Sequence, residues 1–411
     1  MDDNGHLNLL SHDSFASGVP HKTFERLRRE EPLSWTDGNN ETEGFWSLTT
    51  HADINQANRE GSVFSSGQGI RLEDQSHDEY MARRTFQETD APEHTTTRRA
   101  VNPNFAKPIM AQFEPLIREL ASNIVDKALV QSEFNAVEAI AKPLPMLMLG
   151  RILGVPDDDL EWLIEKGDAL IGNSDPDFTD HVVDKMDTSA YRFMPFRSPA
   201  GVELYDYAKD LLENRRSVAE GGILAKMMQD ENRLNELEFK NFFCLLVAAG
   251  NDTTRYSISM ALNLLAHSPA LIEQLRGGEC WDTCADEFIR LASPTMHFRR
   301  TLTQDYEMHG KTMKEGDKVL LWFVSGSRDE TVFDAPHQCR LDRRPNRHLA
   351  FGQGGIHVCL GMHLAKLEVR IAIEELVKRV DRFEAIERPT WTRSNFICGV
   401  KKLNVSATKA V

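Results

Sequence analysis

The chain has 411 residues, 41% of them hydrophobic and 27% charged, with a formal net charge of −15. That balance describes a globular protein and excludes a general nucleic-acid binder, which needs a basic surface. No run of about 18 apolar residues occurs, and Met1-Asp-Asp-Asn-Gly-His lacks a basic segment followed by an apolar one, so no membrane span and no secretory leader are expected. Six cysteines (Cys244, Cys280, Cys284, Cys339, Cys359 and Cys398) lie mostly in apolar segments and read as reduced thiols of a cytoplasmic protein. Cys280 and Cys284 share a helical face, but nothing nearby completes a metal site.

In chain order, residues 21–31 carry an amphipathic helical pattern that Pro32 ends, and two strand candidates follow at 33–35 and 44–48. Residues 51–60 look helical again. Gly67 to Glu88 is polar and weakly periodic and reads as a long loop, a feature usually tied to function. Asp90 is placed as a helix cap with Pro92 in the first turn, which sets His94 and Arg98 four apart on one face. Two donors on one face suit an acidic group. Helical patterns continue over 109–130, 140–153 and 157–171; residues 172–200 are irregular, and 201–216 are helical.

Asn235-Glu-Leu-Glu238 is a capping-box start to a helix running to His267-Ser-Pro269. At 1.5 Å per residue it spans about 48 Å, enough to cross the molecule. Phe239 to Ala249 is apolar, but Gly250-Asn-Asp-Thr-Thr-Arg255 is costly inside a buried helix. Such a break in local consistency marks a functional site; the structural alternative is a kink with Asp252 paired to Arg255. Glu287 and Arg290 fall at i, i+3 on a later helix face. Strand-like runs after Pro294 and at 319–324, with the tail Phe396-Ile-Cys-Gly-Val, complete the expected sheet. Length alone suggests two or three domains. No linker, repeat or low-complexity tract divides the chain, so one domain is expected over 1–411, residues 1–20 forming a flexible N-terminal segment.

The densest signal is Phe351-Gly-Gln-Gly-Gly-Ile-His-Val-Cys-Leu-Gly361, directly before a long helical pattern over 360–380. Glycines at this density let backbone approach a ligand closely. Backbone N–H groups and a helix start favour thiolate at Cys359, the form in which a cysteine serves as an axial ligand of haem iron. Phe351 can cover the sulfur, and His357 can donate to a haem propionate. Two bland alternatives stand beside this reading: a structural cysteine in a glycine-rich turn, and a zinc site from His357, Cys359 and His363, which lacks the fourth ligand that structural zinc wants.

These residues resemble the haem-binding signature of the cytochrome P450 family, Phe-Gly-x-Gly-x-His-x-Cys-x-Gly, with one extra residue between Phe351 and Cys359. The longer loop is similar to that of a subgroup acting on sterols and methyl-branched lipids. The resemblance spans about residues 20 to 407 and implies a single-domain cytochrome P450 fold, mainly α with small β-sheets, with haem b (iron protoporphyrin IX) between the two long helices. It assigns Cys359 as metal ligand, with Gly361 beside it, and His94, Arg98, Arg300 and His357 to the propionates. Ala249-Gly250-Asn251-Asp252-Thr253 resembles the family's oxygen-activating motif: Gly250 gives dioxygen room, Thr253 donates a hydrogen bond to it, and Asp252 supplies protons through water.

Glu287, Arg290 and a third arginine, Arg343, brace the cysteine loop in the family; here Cys339-Arg340 replaces the usual Phe-Asp and puts that bracing in doubt. The 67–88 loop is implied to roof the substrate pocket and 172–200 to form a mobile lid. Ile70, Leu72, Phe178, Phe193, Met194, Phe196, Ala249, Thr295, Met296, His297 and Phe396 are expected around substrate, with Arg71 or His297 anchoring a polar end. The implied activity is monooxygenation of a small, bulky, apolar substrate with dioxygen and electrons from a ferredoxin and its reductase. The expected protein is a cytoplasmic monomer that binds neither nucleic acid nor membrane. A small aromatic acid is the alternative substrate; peroxide-driven or rearrangement chemistry, and a haem sensor or carrier without turnover, are the alternative functions.

Overall fold

The helix Glu236–His267 runs through the middle of the computed structural model, which describes residues 7–39, 42–214 and 234–410. Asn235 caps it in a reciprocal box with Glu238, as its sequence predicts. Five helices pack along it: Pro143–Leu153, Leu160–Ile171, Pro199–Asn214, Cys284–Ala292 and Met362–Arg379. One apolar core joins its C-terminal half to Met362–Arg379 and Glu114–Ala128 through Ile258, Leu262, Ile371 and Val125. A second joins its N-terminal half to the helices at 160–171 and 199–214 through Phe243, Val247, Leu170 and Leu204. A helix buried on nearly every side needs no amphipathic stripe, which is why Phe242 to Ala249 is apolar all round.

A five-stranded sheet lies to one side, in the order Leu33–Thr36, Phe45–Leu48, Lys318–Leu321, Phe298–Leu302, Phe64–Ser65. Arg300 pairs with Val319 and Thr301 with Ser65, so strand alternation turns Phe298 and Arg300 to one face. A separate three-stranded sheet is formed by Glu133–Asn135, Asn404–Lys409 and Val380–Ala385, in that order. No helix among the described residues is long and apolar enough to cross a membrane.

Several expected elements change shape. The 67–88 segment contains a helix, His77–Arg83, started by a Ser76/Glu79 capping box; the Ser-x-x-Glu signature was present in the sequence. Asp90 does not cap the next helix, Glu93–Val101, by its side chain. Its carboxylate instead accepts from the Ser65 hydroxyl and the Ser66 amide, tying that helix to the sheet edge. The 109–130 pattern is split into Lys107–Ala111 and Glu114–Ala128, with Pro115 in the first turn of the second, where its missing N–H costs nothing. The expected strand at 319–324 ends at Leu321 and continues as the short helix Phe323–Gly326. Arg215 and Arg216, expected at the end of a helix, lie outside the described residues.

Candidate active site

Cys359 is reached by a loop that docks on the helix His51–Arg59. Asn58 Nδ2 donates to the Gln353 carbonyl at 3.0 Å, and a Cβ at Gly355 would stand 2.0 Å from the Asn58 carbonyl oxygen. Gly354 adopts φ +115, which side chains rarely tolerate. The loop then folds back so that the Cys359 amide donates to the Phe351 carbonyl at 2.9 Å.

Cys359 has accessible surface although it lies deep in the fold, because it borders an internal cavity; the other five cysteines are buried or half-buried. Burial pushes its thiol up, against the Gly361 and Met362 amides and Arg98, which favour thiolate. A coordinating metal deprotonates such a thiol outright. Among the described residues no group of three or more His, Cys, Asp and Glu side chains could hold a metal, which leaves the zinc alternative without a ligand set.

Four basic side chains converge beside the loop. The His94 and His357 rings lie 4.2 Å apart, Arg98 donates to the Val358 carbonyl, and Arg300 is buried with its Nη1 on the Arg299 carbonyl at 2.8 Å. Both ring nitrogens of buried His94 lack a partner. Neither Arg98 nor Arg300 has a carboxylate within ion-pair distance among the described residues. Burial first, then the neighbouring cations, push His94 down to about 4 and His357 to about 2. So many basic groups without an anionic partner describe an anion site, and the two propionates of haem fit it.

The cavity runs from Phe351, His357, Cys359 and Gly361 along the long helix. Phe242, Leu245, Leu246, Ala249, Gly250, Thr253 and Ser257 face it, an i, i+3, i+4, i+7 series legible as a helical face in the sequence. A Cβ at Gly250 would come within 3.0 Å of Leu149 on the neighbouring helix. The Thr253 hydroxyl donates to the Ala249 carbonyl at 2.6 Å. Asp252 points the other way, into a closed ion cluster: it pairs with Arg255 at 2.5 Å, Arg255 with Asp168 at 2.6 Å, and Asp168 with Lys142 at 3.0 Å. Burial raises the Asp252 carboxyl well above the usual range, with Arg255 pulling against it. The pairing that the sequence left as the structural alternative is thus present, and Asp252 does not line the cavity.

Of the expected pocket residues, Ile70, Phe196, Ala249, Thr295, Phe396 and the anchor Arg71 line the cavity. The others do not. Leu72 and Met296 pack in a core around Trp322. His297 is fully buried behind Phe396, its ring 4.6 Å from Trp322. Phe178 is drawn beneath the Arg255 guanidinium, Phe193 lies exposed over Arg192, and Met194 packs against the second core. Pro195 and Phe196 are the part of the 172–200 segment that reaches inward. Phe86, Phe298, Arg83 and Glu88 line the cavity too. Arg83, Phe86 and Glu88 fall in the 67–88 segment, where a polar, weakly periodic sequence carries no facing rule.

Glu287, Arg290 and Arg343, which the family resemblance groups together, meet in the structure. Glu287, fully buried, accepts from Arg290 Nε and Nη2 at 2.8 Å each, from Arg343 Nε at 3.0 Å and from Asn346 Nδ2 at 3.1 Å. Cys339-Arg340 leaves this geometry intact: the Arg340 amide donates to Glu287 at 2.9 Å while its side chain turns out to Asp334. The carboxylate is held below its ordinary range, burial opposing and the two guanidinium groups prevailing.

Known proteins resemble this chain in sequence and fold. The model of the family described as Cytochrome P450 matches residues 280–393. Over 400 residues, 93% of the chain and 90% of the relative, it is 34% identical to the methyl-branched lipid omega-hydroxylase of Mycobacterium tuberculosis. Over 414 residues, 97% of the chain and 98% of the relative, it is 32% identical to linalool 8-monooxygenase of Pseudomonas putida. A Mycobacterium marinum cytochrome P450 solved in complex with pseudoionone superposes with a TM-score of 0.85 at 31% identity, covering 94% of each chain.

Proposed function

We propose that this chain, which belongs to the cytochrome P450 family, hydroxylates a bulky apolar substrate of sterol, terpenoid or branched-lipid type with electrons from a ferredoxin and its reductase, in the cytoplasm. As a family member it is a haem-thiolate monooxygenase and an oxidoreductase. One atom of dioxygen enters a C–H bond and the other leaves as water, with two electrons and two protons. Haem b supplies the activation of dioxygen.

The chain's own residues do the rest. Cys359 would hold the iron, and His94, Arg98, Arg300 and His357 the propionates. Phe351 and Phe323 border the sulfur's end of the cavity and keep water from it. On the opposite side Gly250 leaves room next to Thr253, whose hydroxyl would pass a proton after releasing Ala249. Asp252, once released from Arg255, is the group that can replenish it.

The observation that carries the substrate reading is the lining itself. Ile70, Phe86, Leu149, Phe242, Leu245 and Phe298 make it apolar, as ligand sites tend to be. The lipid and terpenoid substrates in the relatives' names agree with it. The test is the ferric haem's low-to-high-spin shift on titration with sterols, terpenoids, branched lipids and aromatic acids. Tight shifts with benzoate-sized acids, and none with the larger compounds, would overturn the assignment.

A further inference from the structure

The cavity has a second, charged end. Arg71, Arg83 and Glu88 line it together with the apolar residues. The backbone around Arg83 is fixed against the start of the long helix, where Asn241 Nδ2 donates to the carbonyls of Ala82 and Arg84 at 3.3 and 3.1 Å. Thr253 lies twelve residues further along that helix, about 18 Å at its rise per residue. The backbone that carries Arg83 is thus set well apart, along the helix, from the residue placed at the reaction.

Arg83 is the unsatisfied member of this end. It is 7% exposed; its Nε and Nη2 both donate to the neutral Gln75 Oε1, at 3.1 and 2.6 Å. Its Nη1 has no acceptor, and no carboxylate among the described residues lies within ion-pair distance. The neighbouring acids are engaged elsewhere: Glu73 faces Arg71 at 3.8 Å and Glu79 faces Arg197 at 3.5 Å. Glu88 accepts the Thr85 amide, and burial pushes its carboxyl toward the neutral form. Arg71 is held 4.3 Å above the Phe196 ring with its Nε toward Glu73, which leaves its two Nη groups to fork onto an anion beside Arg83. A buried cation without a counter-ion is expensive, and a carboxylate on the ligand removes that cost.

We propose that Arg83, with Arg71 beside it, recognises the carboxylate of a long amphipathic acid, and that such an acid is the substrate, oxidised on its hydrocarbon end. The inference rests on the apolar-substrate reading and narrows it. Full-length haem-loaded protein is titrated with a methyl-branched long-chain acid, its methyl ester and a neutral terpenoid, following the ferric spin shift. The acid should bind about tenfold or more tightly than the ester, the weight of one charge-assisted hydrogen bond. Arg83→Gln should erase that preference while leaving the ester within about twofold, and Arg83→Lys should restore part of it.

Arg83 acting only as a loop brace through Gln75 would weaken acid and ester alike, and that result overturns the proposal. Equal affinity of acid and ester in the unmutated protein overturns it as well. A shift with the neutral terpenoid but none with the acid sinks this inference alone, whereas no shift with any of the three sinks the apolar-substrate reading too. If Arg83→Gln fails to load haem, Arg71→Gln is read by the same criterion.

Discussion

At the scale of single residues, Cys359 and Thr253 are proposed to carry the chemistry, for opposite reasons. Cys359 is valuable because its sulfur borders the cavity unpaired. Replacing it by serine removes the thiolate but little volume, so Cys359→Ser should fold and lose the reduced carbon monoxide absorption typical of thiolate ligation. A spectrum of histidine type in the unmutated protein would refute the ligand assignment. Thr253 is instead satisfied by its own helix, through Ala249. Thr253→Ala therefore costs little in stability, yet removes the hydroxyl that faces the cavity. Haem and substrate binding should persist, while the share of reducing equivalents lost as peroxide rises severalfold. Product formed per electron at the unmutated level would remove Thr253 from the mechanism. Cys359, His357 and Thr253 were legible because each sits in a motif whose spacing fixes its neighbours. Arg83 and Glu88 were not, since their role depends on which carboxylates fold close to them.

Among the elements, the brace of Glu287, Arg290 and Arg343 joins the helix Cys284–Ala292 to the chain leading into the cysteine loop. One carboxylate offsets two buried guanidinium groups, so Glu287→Gln leaves both cations under-compensated. Breaking a buried pair costs about 3–5 kcal/mol; the variant should melt at a lower temperature and retain less haem after gel filtration. An unchanged melting temperature with full haem content would contradict the role. The pH dependence follows from the lowered carboxyl. Its contribution is fully present above the ordinary value of 4.5 and is lost as pH falls through the lower folded value, because the unfolded chain binds the proton first. Glu287→Gln should therefore flatten the acid limb of the stability curve. The pair Glu287 and Arg290 could be read from the sequence as a helix neighbour pair. The effect of Cys339-Arg340 could not, because Arg340 reaches Glu287 through its backbone N–H, which any residue but proline would supply. Likewise the irregular 172–200 segment gave no periodicity to say that Phe178 turns toward Arg255 while Phe196 turns inward.

Over the whole molecule, the net charge of −15 makes docking of an acidic ferredoxin a question of local charge. Most arginines and lysines near the cysteine loop are already spent: Arg343 in the brace, Arg344 on Asp282, Lys366 on Asp286, and Arg370 on Glu114 and Glu374. Arg99 and Arg347 are exposed and form no ion pair among the described residues. Arg99 follows the Arg98 that touches Val358, and Arg347 lies four residues before Phe351. If these two carry the attraction, it is short-ranged, since exposed charges are screened beyond about 8 Å at physiological ionic strength. Arg99→Glu and Arg347→Glu should each slow electron transfer from an acidic ferredoxin at low salt by about tenfold, the lower end of what steering supplies. The difference from the unmutated protein should shrink as salt is raised. Arg370→Glu is the contrast, because it strips partners from Glu114 and Glu374 and should register in thermal stability more than in transfer rate. Transfer rates indifferent to salt and to both exposed reversals would mean that the donor docks elsewhere or by apolar contact.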